Sequence, residues 1–263
     1  MDKTIRINDS TFHKVECTGD EVLTIQIQKG IHAVLYIESV SMNKTKLHIE
    51  LEEEANLNLL MWNESSTSHL DCVVNLQRNS SCLATFGEMS DGDVEARVVF
   101  NLTGEGSRVD VRSASIVNSK KEFDFECIHH APHTVGIMEN YAVVRMNGKY
   151  KMVDTGKIVK GAFDSSSHQT TRVLTMSEKQ VAEVTPLLLI DENDVQASHA
   201  TTLGQPDENQ LYYLQTRGLS REEALGLITI GYLMPIANAI DNEELNKELT
   251  HKIEMKAGIS CLM

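Results

Sequence analysis

The densest group of metal-ligating side chains in this 263-residue chain lies in ECIHHAPHT, residues 126–134, which holds Cys127, His129, His130 and His133. On a strand, Cys127 and His129 leave the backbone on the same face, a spacing that suits a soft metal. A turn at Ala131-Pro132 would have to bring His133 alongside as a third ligand. The plainer reading is a strand that ends in polar residues at Pro132, since no second cluster supplies the remaining ligands. His199, in VQASHATT, stands alone between the small residues Ser198 and Ala200, which leave its ring open to a neighbouring surface. A neutral imidazole there can bind a metal or move a proton near physiological pH, although a lone His is more often structural.

Other chemistry finds less support. There is no GxSxG, no P-loop and no GxGxxG after a strand, which leaves serine hydrolysis, direct nucleotide hydrolysis and dinucleotide binding without local support. Asp91/Asp93 and Glu52–Glu54 read as turns and solvated surface rather than glycosidase carboxylates, and the single Trp62 makes no sugar platform. The five cysteines, Cys17, Cys72, Cys82, Cys127 and Cys261, form no CxxC pair and read as reduced thiols. A net charge of −14 disfavours nucleic acid as a partner, Lys120-Lys121 being the nearest thing to a basic cluster. No apolar run follows Met1 and none reaches membrane-spanning length, so a cytoplasmic chain without a membrane partner is expected.

The elements that must position these residues come in two kinds. From Lys3 to about Ile190 the hydrophobic pattern has period two. KLHIEL (46–51) puts Leu47, Ile49 and Leu51 on one face, and VLTIQI (22–27), VDVR (109–112), FDFEC (123–127) and YAVVRM (141–146) alternate likewise. Turn signals at Lys29-Gly30, Asp91-Gly92, Gly104-Glu105-Gly106 and Asn147-Gly148 separate the strands. Asn147-Gly148 is the strongest hairpin signal, and it also suits a corner between sheets. The strand rhythm fits a sandwich or a β-helix, and no strict repeat distinguishes them.

From Asp207 onward the period changes. Asp207-x-x-Gln210, Ser220-x-x-Glu223 and Asp241-x-x-Glu244 are three capping-box starts. The first predicted helix carries Leu211 and Leu214 and stops at Gly218. The second is expected to end at Pro235, and the third places Leu245, Leu249 and Ile253 on one face. Three short helices need the β body or a partner to cover their apolar faces.

The block ASHATTLGQPDENQLYYLQTRGLSREEA (197–224) resembles the C-terminal signature of the SufB/SufD family of iron–sulfur cluster assembly scaffolds. HHAPHT (129–134), NGK (147–149), GKIV (156–159), HQTTRVLTMSE (168–178) and PLLLI (186–190) fit in the same order, so that the likeness runs from about Phe123 to Leu233. It implies a mainly β fold, a right-handed parallel β-helix core over residues 1–200 with a small C-terminal α-helical domain over 201–263. It implies a non-enzymatic scaffold that works with a SufC-type ABC ATPase, docked on the helical region, and with a SufB-like subunit. No tightly bound cofactor is expected, only transient iron or an iron–sulfur cluster shared with the partner.

Residue by residue, the functional His of the SufD type falls on His199, and Gln210, Tyr213, Arg217 and Gly218 fall in the partner-binding helical block. Ala200 stands where SufB has a Glu, and Thr171 lies near where SufB has a Cys, which points to a SufD-like short form. The chain starts almost directly with strands, which leaves a homodimeric minimal scaffold, binding a cluster through Cys127 and the 129–133 histidines, as an alternative. A free-standing β-helix enzyme acting on acidic polysaccharide is a further one, opposed by the charge.

Overall fold

A computed structural model describes residues 2–39, 43–237 and 242–258, and these form sixteen strands and three helices. The strands form two eight-stranded sheets. Odd-numbered strands, from β1 (Asp2–Ile7) to β15 (Val181–Ile190), build one, and even-numbered strands, from β2 (Phe12–Cys17) to β16 (Val195–Gly204), build the other. Among the described residues every strand pairing is parallel and in order. The chain therefore alternates between sheets and climbs one rung per turn. This is a parallel β-helix.

Successive rungs are not of equal length. Ile5 pairs with Ile25, 20 residues on, whereas Lys149 pairs with Val181, 32 residues on. The widening turn erases any fixed sequence period. Alternation still places every second side chain inside, where Ile25, Ile49, Val74 and Phe100 lie fully buried on successive strands of one sheet.

Asn147-Gly148 is a corner and not a hairpin. It links β12 (Val135–Val144) in one sheet to β13 (Lys149–Ile158) in the other. Gly148 N–H donates to the Arg145 carbonyl at 2.8 Å, and a Cβ at 148 would run into the Val117 carbonyl of the previous turn. Close backbone approach, rather than a two-residue hairpin loop, is what demands the glycine.

The helices follow their caps. In α1 (Glu208–Thr216) the Asp207 carboxylate accepts from Asn209 N–H at 2.8 Å. At the start of α2 (Arg221–Ala237) Ser220 Oγ accepts from Glu223 N–H at 3.2 Å while Glu223 accepts from Ser220 N–H at 2.7 Å, a reciprocal box. The expected stop at Pro235 does not hold, since α2 runs two residues beyond it. The lost N–H falls in the last turn, where burial of Leu233, Ile236 and Ala237 outweighs it. Asp241 and Cys261 lie outside the described residues, and α3 (Glu243–Ala257) is capped by Asn242, whose Oδ1 accepts from Leu245 N–H at 3.0 Å.

The helices cover the outer face of the even sheet. Leu233, Ile236, Leu245, Leu249 and Ile253 pack with Tyr36, Leu60, Trp62, Ile116 and Val143 in a second apolar core outside the lumen. Lys252 of α3 pins this layer to early turns. Its Nζ lies 2.8 Å from Glu38 and 3.3 Å from Glu64, and 5.8 Å from the centre of the Trp62 ring. Those two carboxylates and Glu248 hold the ammonium pKa above its ordinary range against the opposing effect of burial.

Candidate functional site

The ECIHHAPHT segment divides its ligands between inside and outside. β11 (Lys120–His129) points Lys121, Phe123, Phe125, Cys127 and His129 into the lumen. Cys127 Sγ lies 3.7 Å from His129 Nε2, and His129 Nδ1 lies 2.8 Å from Thr134 Oγ1, which in turn donates to the Ala131 carbonyl at 3.1 Å. Burial pushes the Cys127 thiol up and the His129 imidazole down to about 4, so both are neutral at pH 7.

His133 is on the surface instead, where its Nδ1 meets Asp164 at 2.8 Å and its ring packs edge-on against Phe163. Its φ of 60° marks the sharp turn that carries it away from the strand face. His130 also faces outward and meets Asn101 at 3.2 Å. Among the described residues no three His, Cys, Asp or Glu side chains converge on a metal-sized site. Cys127 and His129 are brought together; His133 is not.

His199 lies at the opposite extreme of exposure. β16 is the last strand of its sheet, with β14 (Ser165–Thr175) as its one neighbour among the described residues. The register pairs Gln169 with His199, Thr170 with Ala200 and Thr171 with Thr201. Parallel neighbours in register send side chains to the same side, so His199 shares the lumen face with buried Gln169 and sits over the open end of the helix. Ala200 takes the outer face. Beside β16, β15 is likewise an edge strand, and Leu187, Leu189 and Leu203 are exposed along the pair. Among the described residues the outer backbone groups of both strands have no strand beside them.

Of the residues in the helical block, Tyr212 and Tyr213 of α1 are 70% and 61% exposed, although aromatic rings favour burial. Gln210, Tyr213 and Leu214 line a shallow depression with Asn209 and Ile228. Arg217 caps α1 and Gly218, at φ 99°, turns the chain into α2. Glu208 and Arg221 tie the two helices together through a bidentate pair at 2.8 and 3.0 Å.

Sequence reasoning did not find the polar side chains inside the last turns. Asn140, Asp154, Ser167, Gln169 and Thr171 are all 2% exposed or less. Asn140 donates to Asp154 Oδ2 at 2.8 Å and accepts from Ser113 at 2.6 Å. Burial raises the Asp154 carboxyl to about 7, against the lowering effect of its Thr171 and Asn140 hydrogen bonds. A signal existed: these residues occupy the inward phase of their alternation, where earlier strands carry aliphatic side chains.

No helix among the described residues is long and apolar enough to cross a membrane. The family model for the SUF system FeS cluster assembly SufBD core domain matches residues 14–232. The iron-sulfur cluster assembly protein SufD of Bacillus subtilis is 35% identical over 181 residues, covering 68% of this chain and 41% of that protein. A SufBD family protein of Mycobacterium leprae is 25% identical over 96% of this chain and 30% of its own length. One from Staphylococcus haemolyticus is 24% identical over 97% of this chain and 56% of its own. The chain thus spans between about a third and a little over half of each of these three relatives. The β-helix, its apolar terminal edge and a match that takes in β16, α1 and the first part of α2 lead to one conclusion: the chain belongs to the SufBD family of the SUF iron–sulfur cluster assembly system.

Proposed function

We propose that the chain is a SufD-like, non-enzymatic scaffold subunit that forms one cytoplasmic assembly site together with a second chain. The observation that carries this reading is the terminal turn, where His199 stands on an exposed edge strand flanked by Leu187, Leu189 and Leu203. A SufB-like partner pairs with that edge, and the nascent iron–sulfur cluster is cargo held between the two chains. His199 contributes an imidazole nitrogen to iron. The partner supplies the thiolate or carboxylate, because Ala200 and Thr171 offer neither at this end. The segment 201–263 is the receiver for a SufC-type ATPase, through the exposed Tyr212–Tyr213 face of α1 and its neighbours Gln210, Arg217 and Gly218.

His199→Ala, introduced into the complex with its SufB-like and ATPase partners, is expected to leave the assembly intact by gel filtration. Cluster formation, followed anaerobically by visible absorption, should fall by about 10-fold or more, the scale of losing one metal contact. An unchanged rate removes His199 from the mechanism. Tyr213→Ala should weaken ATPase association by about 10-fold, as for an aromatic anchor at an interface, with the β-helix unaltered. Equal affinity in a binding titration would place the ATPase elsewhere.

A further inference from the structure

The lumen directly behind His199 contains a buried group without a partner. In the even sheet one inward row reads Met138, Gln169, His199 across β12, β14 and β16. The Gln169 amide is fixed at one end, since its Nε2 donates to the Leu187 carbonyl of the facing sheet at 3.0 Å. Gly156, opposite, leaves room for it; a Cβ there would stand 3.0 Å from that nitrogen. With Nε2 engaged, Oε1 points the other way, and it is buried without a hydrogen bond.

A buried amide oxygen needs a donor. Within its own row the neighbour on one side, Met138, has none to give. The neighbour on the other side is the imidazole of His199, one strand spacing away. The preceding register pair shows that side chains on these two strands reach one another, because His168 Nδ1 lies 2.8 Å from Ser198 Oγ.

We propose that Gln169 is a positioning residue for His199: its Oε1 accepts the imidazole N–H once the exposed ring turns inward about its side-chain torsions. This rests on the reading of His199 as the residue that meets iron. The bond fixes the tautomer, holding the proton on the nitrogen that faces the lumen. The other nitrogen keeps its lone pair and faces the open end, where the cargo and the second chain arrive. Metal-binding histidines generally have their second nitrogen held in this way. The site is therefore built from the last two strands of the even sheet, β14 and β16.

The test uses selectively ¹⁵N-histidine-labelled protein, with the His199 signals assigned by their loss in His199→Ala. Two-bond ¹H–¹⁵N spectra report the tautomer ratio of the neutral ring. Gln169→Met, similar in volume and without an acceptor, should change that ratio by about threefold or more, while Gln169→Glu, which keeps an acceptor oxygen but gives up the donor to the Leu187 carbonyl, should depart from wild type less than Gln169→Met does. Circular dichroism and the remaining histidine signals establish that each variant is folded. In the assembled complex Gln169→Met should lower cluster formation by about 10-fold, with Gln169→Glu restoring part of it. A His199 tautomer ratio identical in wild type and Gln169→Met overturns the proposal, whatever the assembly assay gives. A ratio that moves, together with full cluster formation by His199→Ala, upholds the Gln169–His199 contact and rejects the iron-binding reading on its own.

Discussion

Lys121→Met is expected to destabilise the protein by about 3–5 kcal/mol, read as a drop in the urea midpoint at an unchanged slope. Lys121 occupies an inward position of β11 with 0% of its side chain exposed. Its Nζ donates to Glu88 at 2.6 Å, to the Ser90 carbonyl at 2.8 Å and to Ser90 Oγ at 2.8 Å. Burial lowers its pKa, against the pull of Glu88. Glu88 in turn accepts from Asn63 at 2.6 Å and from Ser90 N–H at 2.9 Å.

Every donor on the ammonium is used, and removing it strands a carboxylate inside the β-helix. The cost is the uncompensated charge rather than the bond itself. The double variant Lys121→Met/Glu88→Gln should therefore recover more than half of the loss. A single variant within about 1 kcal/mol of wild type would show that water reaches the pair, as it does for surface bridges.

Asp154→Asn is expected to stabilise the protein at pH 8 and to do much less at pH 4.5. The folded state holds this carboxyl at about 7, against an ordinary value of 3.8. Between those values the native state binds more protons than the unfolded chain, so stability falls as pH rises through this window and levels off above it. The full span corresponds to roughly 4 kcal/mol at most, one pKa unit being about 1.4 kcal/mol. Asn keeps the oxygen that accepts from Asn140 and carries no charge to desolvate.

His129 acts in the opposite sense. Its pKa, lowered from 6.5 to about 4, makes the protein lose stability as pH falls through that interval. Both proteins share that acid limb, so the difference between wild type and Asp154→Asn isolates the carboxyl. Parallel denaturation midpoints for the two from pH 4.5 to pH 8 would mean that Asp154 ionises without penalty.

How far the sequence foretells this structure depends on whether a residue's neighbours are close in the chain. Period two is a local property, and the strand segments around KLHIEL, FDFEC and YAVVRM are where the alternation puts them. Helix caps are local too, and the Ser220–Glu223 box is present as drawn. The choice between sandwich and β-helix depends on which strand lies beside which. Rungs that lengthen from 20 to 32 residues leave no period to reveal it, and the family resemblance supplied the answer.

Cys127 and His129 share a face because two residues on a strand must, while His133 departs through a single positive φ that its position before Thr134 does not announce. Gln169 behind His199 was not legible at all. Thirty residues separate them, and only the register of β14 against β16 makes them neighbours.

The second apolar core outside the lumen has a consequence for how the chain acquires its fold. Each rung pairs with the next at a separation of a few tens of residues, so the solenoid can grow rung by rung from whichever turns form first. The outer core is closed on a different scale: Tyr36 and Trp62 wait for Leu245, Leu249 and Ile253, nearly two hundred residues later. During synthesis the even sheet is therefore complete before its cover exists. An aromatic and aliphatic face stands bare until α3 has been made, and that interval is when the nascent chain is most open to misassociation.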